Sequence, residues 1–138
     1  LKSLFSEEQV YFGGRTLRED TFIEPTLLTD IDKESKIAQE EIFGPILPVI
    51  PYSDLSILSE DLNKKASPLV TYLFSESKKQ ASYIEQTLKS GSMSVNQVIK
   101  QAASPRIPFG GVGESGFGRY HGEESFKTFS YQKANSTK

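Results

Sequence analysis

Fifteen residues, Pro108 to Gly122, read P-F-G-G-V-G-E-S-G-F-G-R-Y-H-G and hold six of the chain's ten glycines. Glycine is needed where φ must be positive or where another backbone or a ligand comes very close. A run this dense is therefore a shaped loop, and it marks where to look for function. Inside it, Gly111-Val112-Gly113-Glu114-Ser115-Gly116 is a literal G-x-G-x-x-G, the spacing that cradles a pyrophosphate at a helix N-terminus. Its surroundings are wrong for that chemistry. The motif should follow a hydrophobic strand, but here it follows Ser104-Pro105-Arg106-Ile107-Pro108, and prolines do not sit in central strands. An acidic residue is due about 20 positions further on, where only a polar tail ending at Lys138 remains. Taken alone, the match is weak.

A second segment, Glu40-Glu41-Ile42-Phe43-Gly44-Pro45, sets carboxylates beside an aromatic ring and a rigid Gly-Pro turn. Two readings are open. A carboxylate can accept hydrogen bonds from both hydroxyls of a ribose while a neighbouring ring packs on a flat heterocycle. Equally, Glu40 and Glu41 can be a solvated acidic pair, with Phe43 opening the next buried strand.

Other chemistries are excluded by what the chain lacks. It has no cysteine and one histidine, His121. Disulfides, thiolate metal sites and Cys nucleophiles cannot arise within it, and one histidine makes no metal cluster. A lone His behind a Gly-rich loop is more often packed or superficial than a proton shuttle, so His121 is not assigned to catalysis. Cysteine-free composition suits a reducing cytoplasm, the expected location. Net charge is −2, with 25% charged residues. Lysines and arginines are scattered; Lys64-Lys65 and Lys78-Lys79 read as solvated helix positions, so no nucleic-acid surface is expected. No apolar run reaches the length of a membrane span, and no secretory leader is expected at the N-terminus.

The elements that must position these residues follow from periodicity. Length suggests one domain rather than two. From Asp54 to Lys65, Leu55, Leu58 and Leu62 share one helical face. From Lys78 to Ser90, Ala81, Ile84 and Leu88 repeat that spacing; Ser77 and Gln80 have capping-box spacing, and Gly91 is a candidate C′ residue. Strands are predicted over Ile46–Ile50, Leu69–Phe74 and Ser92–Asn96, with another over Phe22–Leu28 after a turn at Gly13-Gly14 and a short helix over Tyr120–Phe129. Strands alternating with helices give an α/β fold with a parallel β-α-β-α-β unit. Ligands in such sheets lie at the carboxyl ends of strands, so the Gly-rich loop is expected at that edge.

The order Glu41-Ile42-Phe43-Gly44-Pro45, Asn96, Pro108-Phe109-Gly110-Gly111, Ser115-Gly116 and Gly118-Arg119 resembles the C-terminal part of NAD(P)-dependent aldehyde dehydrogenases. The likeness runs from about Tyr11 to Gln132. Ser67-Pro68-Leu69, Tyr72-Leu73-Phe74-Ser75, Gly110 to Gly116, and Tyr120-His121-Gly122 before Ser125-Phe126 are similar to the class 3 branch. The resemblance implies that Glu41 binds the cofactor ribose and that Phe43 packs near the nicotinamide. It also implies that Asn96 ends the strand before the substrate loop and that Phe109 lines the substrate tunnel.

In that family a Cys thiolate attacks the aldehyde and a Glu-activated water hydrolyses the resulting thioester. Both groups and the Rossmann-like cofactor domain lie N-terminal to the Glu-Ile-Phe-Gly-Pro segment. The resemblance thus makes residues 1–138 the C-terminal portion of a catalytic domain, an incomplete half with no catalytic residue of its own and no activity alone. NAD or NADP, an aldehyde, the missing N-terminal part and a homo-oligomeric partner are the implied ligands and partners. Two other readings stand beside it. A semialdehyde dehydrogenase acting on acyl phosphates is disfavoured by the Pro-Phe-Gly-Gly form of the loop. A truncated paralogue serving as an assembly or interaction module is the non-enzymatic alternative.

Overall fold

The structure, a computed structural model, describes residues 1–137. The chain divides into two compact units, Leu1–Ser53 and Asp54–Lys138. The first unit contains β1 (Val10–Phe12), β2 (Thr16–Leu17), β3 (Phe22–Ile23), β4 (Thr26–Leu28), α1 (Lys36–Gln39) and β5 (Ile46–Pro48). β1, β4 and β5 form one sheet in the order β1-β4-β5, antiparallel then parallel. β2 and β3 form a separate antiparallel pair.

The single strand expected over Phe22–Leu28 is thus two short ones, and Pro25 is the cause. Proline donates nothing to a ladder, and the chain changes partners across it: the Glu24 N–H donates to the Arg15 carbonyl, the Thr26 N–H to the Pro45 carbonyl. The core gathers behind β4 and β5, where Phe5, Leu28, Ile31, Ile37 and Ile46 are buried together. Each such side chain contributes about 1.5–3 kcal/mol relative to exposure.

The second unit contains α2 (Leu55–Asn63), β6 (Val70–Leu73), α3 (Lys78–Thr87), β7 (Ser92–Val95), α4 (Lys100–Ala103) and α5 (Gly122–Thr128). β6 and β7 pair in parallel from Val70↔Ser92 to Leu73↔Val95, joined by α3 as a parallel pair requires. The α/β class and parallel pairing hold. One strand of the expected unit sits elsewhere, because Ile46–Pro48 pairs with Thr26–Leu28 and buries Ile46 beside Leu28.

Asp54 caps α2, accepting from the Ser56 and Ile57 N–H groups. The Ser56 hydroxyl, then those main-chain donors, hold its carboxyl below the ordinary value. Leu55 and Leu58 are half-buried and Leu62 is exposed; the most buried residue of the helix is Ser59. Polar bonds attach the helix instead. The Ser59 hydroxyl donates to Thr87 Oγ1 at 3.1 Å, and Asn63 donates to the Thr87 carbonyl and accepts from the Lys89 N–H.

At the start of α3 the Ser77 hydroxyl accepts from the Gln80 N–H. The Gln80 side chain accepts from the Ser75 hydroxyl, which in turn accepts from the Ser77 N–H, so the box closes through one extra residue. α3 ends at Thr87, since Leu88 is already extended; Gly91 is therefore not its C′ residue. Among the described residues no helix is long and apolar enough to cross a membrane.

Candidate functional site

Glu40 leaves α1 in an extended conformation, with φ −96° and ψ 146°, so successive side chains should point to opposite sides. Glu40 and Glu41 are both exposed, Ile42 is half-buried against the first unit's core, and Phe43 is 82% exposed. Ile42 is the anchor. A carboxylate and a ring are accessible on either side of it in the chain, and among the described residues no side-chain hydrogen bond occupies the Glu41 carboxylate. Phe43 is not the start of a buried strand; β5 begins at Ile46.

In the second unit Asn96 follows β7 with φ 53°, a conformation asparagine tolerates better than most residues. Its N–H donates to the Leu73 carbonyl at 2.8 Å. Its side chain accepts from the Ser75 N–H at 2.9 Å and donates to the Ser75 carbonyl at 2.8 Å. The ladder between β6 and β7 is in effect extended one step by an amide side chain. Asn96 ties strand ends together, and half of its side chain's bonding capacity is spent there.

The Gly-rich loop lies at the other end of β7. A Cβ on Gly91, just before the strand, would collide with the carbonyls of Gly110 and Leu69. Gly110 thus abuts the amino ends of β6 and β7, not the carboxyl edge expected from doubly wound sheets. The return path is the reason: α4 lies against β7, and the chain after it runs back towards the strand's start. Asn96 and Phe109 are consequently separated by the length of β7, about 16 Å for the five residue steps from Gly91 to Asn96.

Phe109 and Tyr120 exchange both main-chain hydrogen bonds at 3.0 Å, closing the loop as an isolated antiparallel bridge. Their rings meet edge to face at 5.8 Å between centroids, and His121 stacks on Phe109 at 6.1 Å. His121 is half-buried with φ 81°, and its N–H donates to the Ser125 hydroxyl at 2.7 Å. Of the packed and superficial placements weighed for it, this is the packed one.

Periodicity and motif spacing did not single out two features. Ile99, a β-branched residue, has φ 66°, and its N–H donates to the Tyr72 hydroxyl, as does the Gln101 side chain. Arg119 donates to the carbonyls of Gly111, Gly118 and Gly91. Its position between the last loop glycines and Tyr120 was the available signal, but main-chain acceptors leave no mark on sequence.

Residues 5–135 match the profile of the aldehyde dehydrogenase family. The chain belongs to that family. It is 50% identical over 127 residues to the 4,4'-diapolycopene-4,4'-dial dehydrogenase of Cytobacillus firmus, covering 92% of this chain and 28% of that one. It is 42% identical to the rat aldehyde dehydrogenase family 3 member A2, over 96% of this chain and 28% of the relative, in keeping with the class 3 likeness. Among solved structures, the substrate-bound state of Staphylococcus aureus AldH has a TM-score of 0.87 at 41% identity, covering 95% of this chain and 29% of that one. The NAD+ complex of Mycobacterium tuberculosis aldehyde dehydrogenase has a TM-score of 0.79 at 34% identity, covering 91% and 26%. The chain therefore spans under a third of the length of these relatives.

Proposed function

We propose that this chain is the C-terminal portion of the catalytic domain of an NAD(P)-dependent aldehyde dehydrogenase that oxidises aldehydes to carboxylic acids. The observation that carries this reading is the joint exposure of Glu41 and Phe43, which flank an anchored Ile42. These residues fit NAD(P): an accessible carboxylate can accept from both ribose hydroxyls, and an accessible ring can pack beside the nicotinamide. The cofactor, when bound, supplies the hydride acceptor. Glu41 fixes the rotation of the ribose, and Phe43 limits where the flat ring can lie. Positioning of this kind is costly to lose, since small misplacements slow a reaction steeply.

Phe109 is the tunnel residue, presented by the bridge to Tyr120. Asn96 acts on the tunnel through shape, by fixing how residues 97–99 leave β7. Val98, Ile99 and Ile107 are exposed along the connection to the Gly-rich loop, which suits an aldehyde with an apolar body. Because the chain contains no cysteine, the thiolate belongs to another part of the complete enzyme.

The test is made on the complete enzyme carrying this segment. Glu41→Gln keeps one acceptor but loses charge and two-oxygen geometry, so the cofactor KM or the hydride step should worsen about ten- to a hundredfold, as for a lost charge-assisted bond. Glu40→Gln, on the opposite side, should change little. Equal, negligible effects would make the pair a solvated face and remove the cofactor assignment of Glu41.

A further inference from the structure

We propose that Arg119 is a positioning residue for the aldehyde, its guanidinium pinning both legs of the Gly-rich loop to the start of β7 and thereby fixing the Phe109 ring. The inference rests on the placement of Phe109 on the tunnel. Arg119 Nη1 donates to the Gly111 carbonyl at 2.5 Å and the Gly118 carbonyl at 3.3 Å, while Nη2 donates to the Gly91 carbonyl at 3.3 Å. Gly111 lies two residues after Phe109, and Gly118 two residues before Tyr120. The fork therefore grips the loop just inside the Phe109–Tyr120 bridge and ties it to Gly91.

Three further facts make this a built arrangement. The Arg119 carbonyl accepts from the Thr128 hydroxyl at 2.7 Å, so the main chain behind the fork is held by α5. A Cβ at Gly110 would lie 3.0 Å from Nη1 and 3.2 Å from Cδ of Arg119, so the arginine occupies the space that a side chain at Gly110 would need. The acceptors are all neutral main-chain carbonyls, which a planar five-donor fork can span and the compact ammonium of lysine cannot.

The experiment uses the complete enzyme with R119A, R119K and F109L, measuring aldehyde KM, cofactor KM, kcat and amide hydrogen exchange over residues 109–120. R119A should raise the aldehyde KM about tenfold, the scale of a lost charge-assisted bond, with kcat within about threefold and cofactor KM unchanged. R119K should recover part of the loss. Millimolar guanidinium chloride should restore R119A but not R119K, whose side chain fills the space, and exchange in the loop should quicken in R119A.

An unchanged aldehyde KM in R119A, with F109L still raising it, would overturn the role of Arg119 alone. Uniform loss of kcat and both KM values, unrelieved by lysine or guanidinium, would reduce Arg119 to a general structural residue and likewise overturn it. If F109L leaves the aldehyde KM unchanged, the tunnel placement of Phe109 falls and this inference falls with it.

Discussion

The side-chain amide of Asn96 is bonded twice to the main chain of Ser75, accepting from its N–H and donating to its carbonyl. It thereby carries the β6–β7 pairing one residue past Val95. Asn96→Ala loses both bonds and puts an alanine at φ 53°, and should destabilise by about 1–3 kcal/mol. Asn96→Gly loses the same bonds without the conformational cost, so it should be milder than alanine by roughly 1 kcal/mol. Urea midpoints of the two variants check the order.

Phe43 separates stability from function. Its side chain is almost wholly exposed, so Phe43→Ala should shift folding stability by no more than about 0.5 kcal/mol. In the complete enzyme the same substitution should weaken cofactor binding by roughly 0.5–1.5 kcal/mol, the scale of a ring–ring contact. Thermal denaturation and cofactor titration on one preparation supply both numbers. A stability loss without a binding loss would return Phe43 to the core.

Asp54 links pH to the second unit. Hydrogen bonds from Ser56 and Ile57 hold its folded carboxyl below the ordinary 3.8. The sign follows from linkage: the cap's contribution is fully present above the unfolded value and is lost as pH falls through the lower folded one. Asp54→Ala should therefore lower the thermal midpoint at neutral pH, with the difference shrinking below pH 3.8. Asp54→Asn, which still caps, should show no such pH dependence.

The isolated chain should self-associate and lack activity. Phe117 is fully exposed, Phe129 is 87% exposed and Phe126 is also open, and extensive exposed apolar surface favours association. Sedimentation should show species larger than a monomer. Aldehyde-dependent reduction of NAD(P) should be absent, because the chain holds no thiolate to attack the carbonyl. A turnover that scales with purified chain would sink this expectation.

Legibility differed by residue type. The cap Ser77 and the strands around Val70 and Ser94 could be read because they follow local rules of periodicity and hydrogen bonding. The break at Pro25 was legible in principle, yet an apolar run over Phe22–Leu28 outweighed one proline. Pairing was harder, since Ile46–Pro48 chose Thr26–Leu28 through burial of Ile46 and Leu28, a non-local preference no window contains. In the site, the carboxylate and ring of Glu41 and Phe43 were visible as types in order. The end of β7 at which Phe109 lies was not, because it depends on where α4 turns the chain.

The crowding at Gly91 divides the Gly-rich loop into positions that can vary and positions that cannot. Gly91, Gly110 and Gly111 are hemmed in by carbonyl oxygens, so a methyl at any of them displaces backbone. Val112, Glu114 and Phe117 carry side chains that are at most half-buried. A mutational library meant to alter aldehyde preference should therefore hold the three glycines constant and diversify those outer positions. It should also treat Gly91 and Arg119 as one inherited pair, since a change at either alters the loop from opposite sides of the same hydrogen bond.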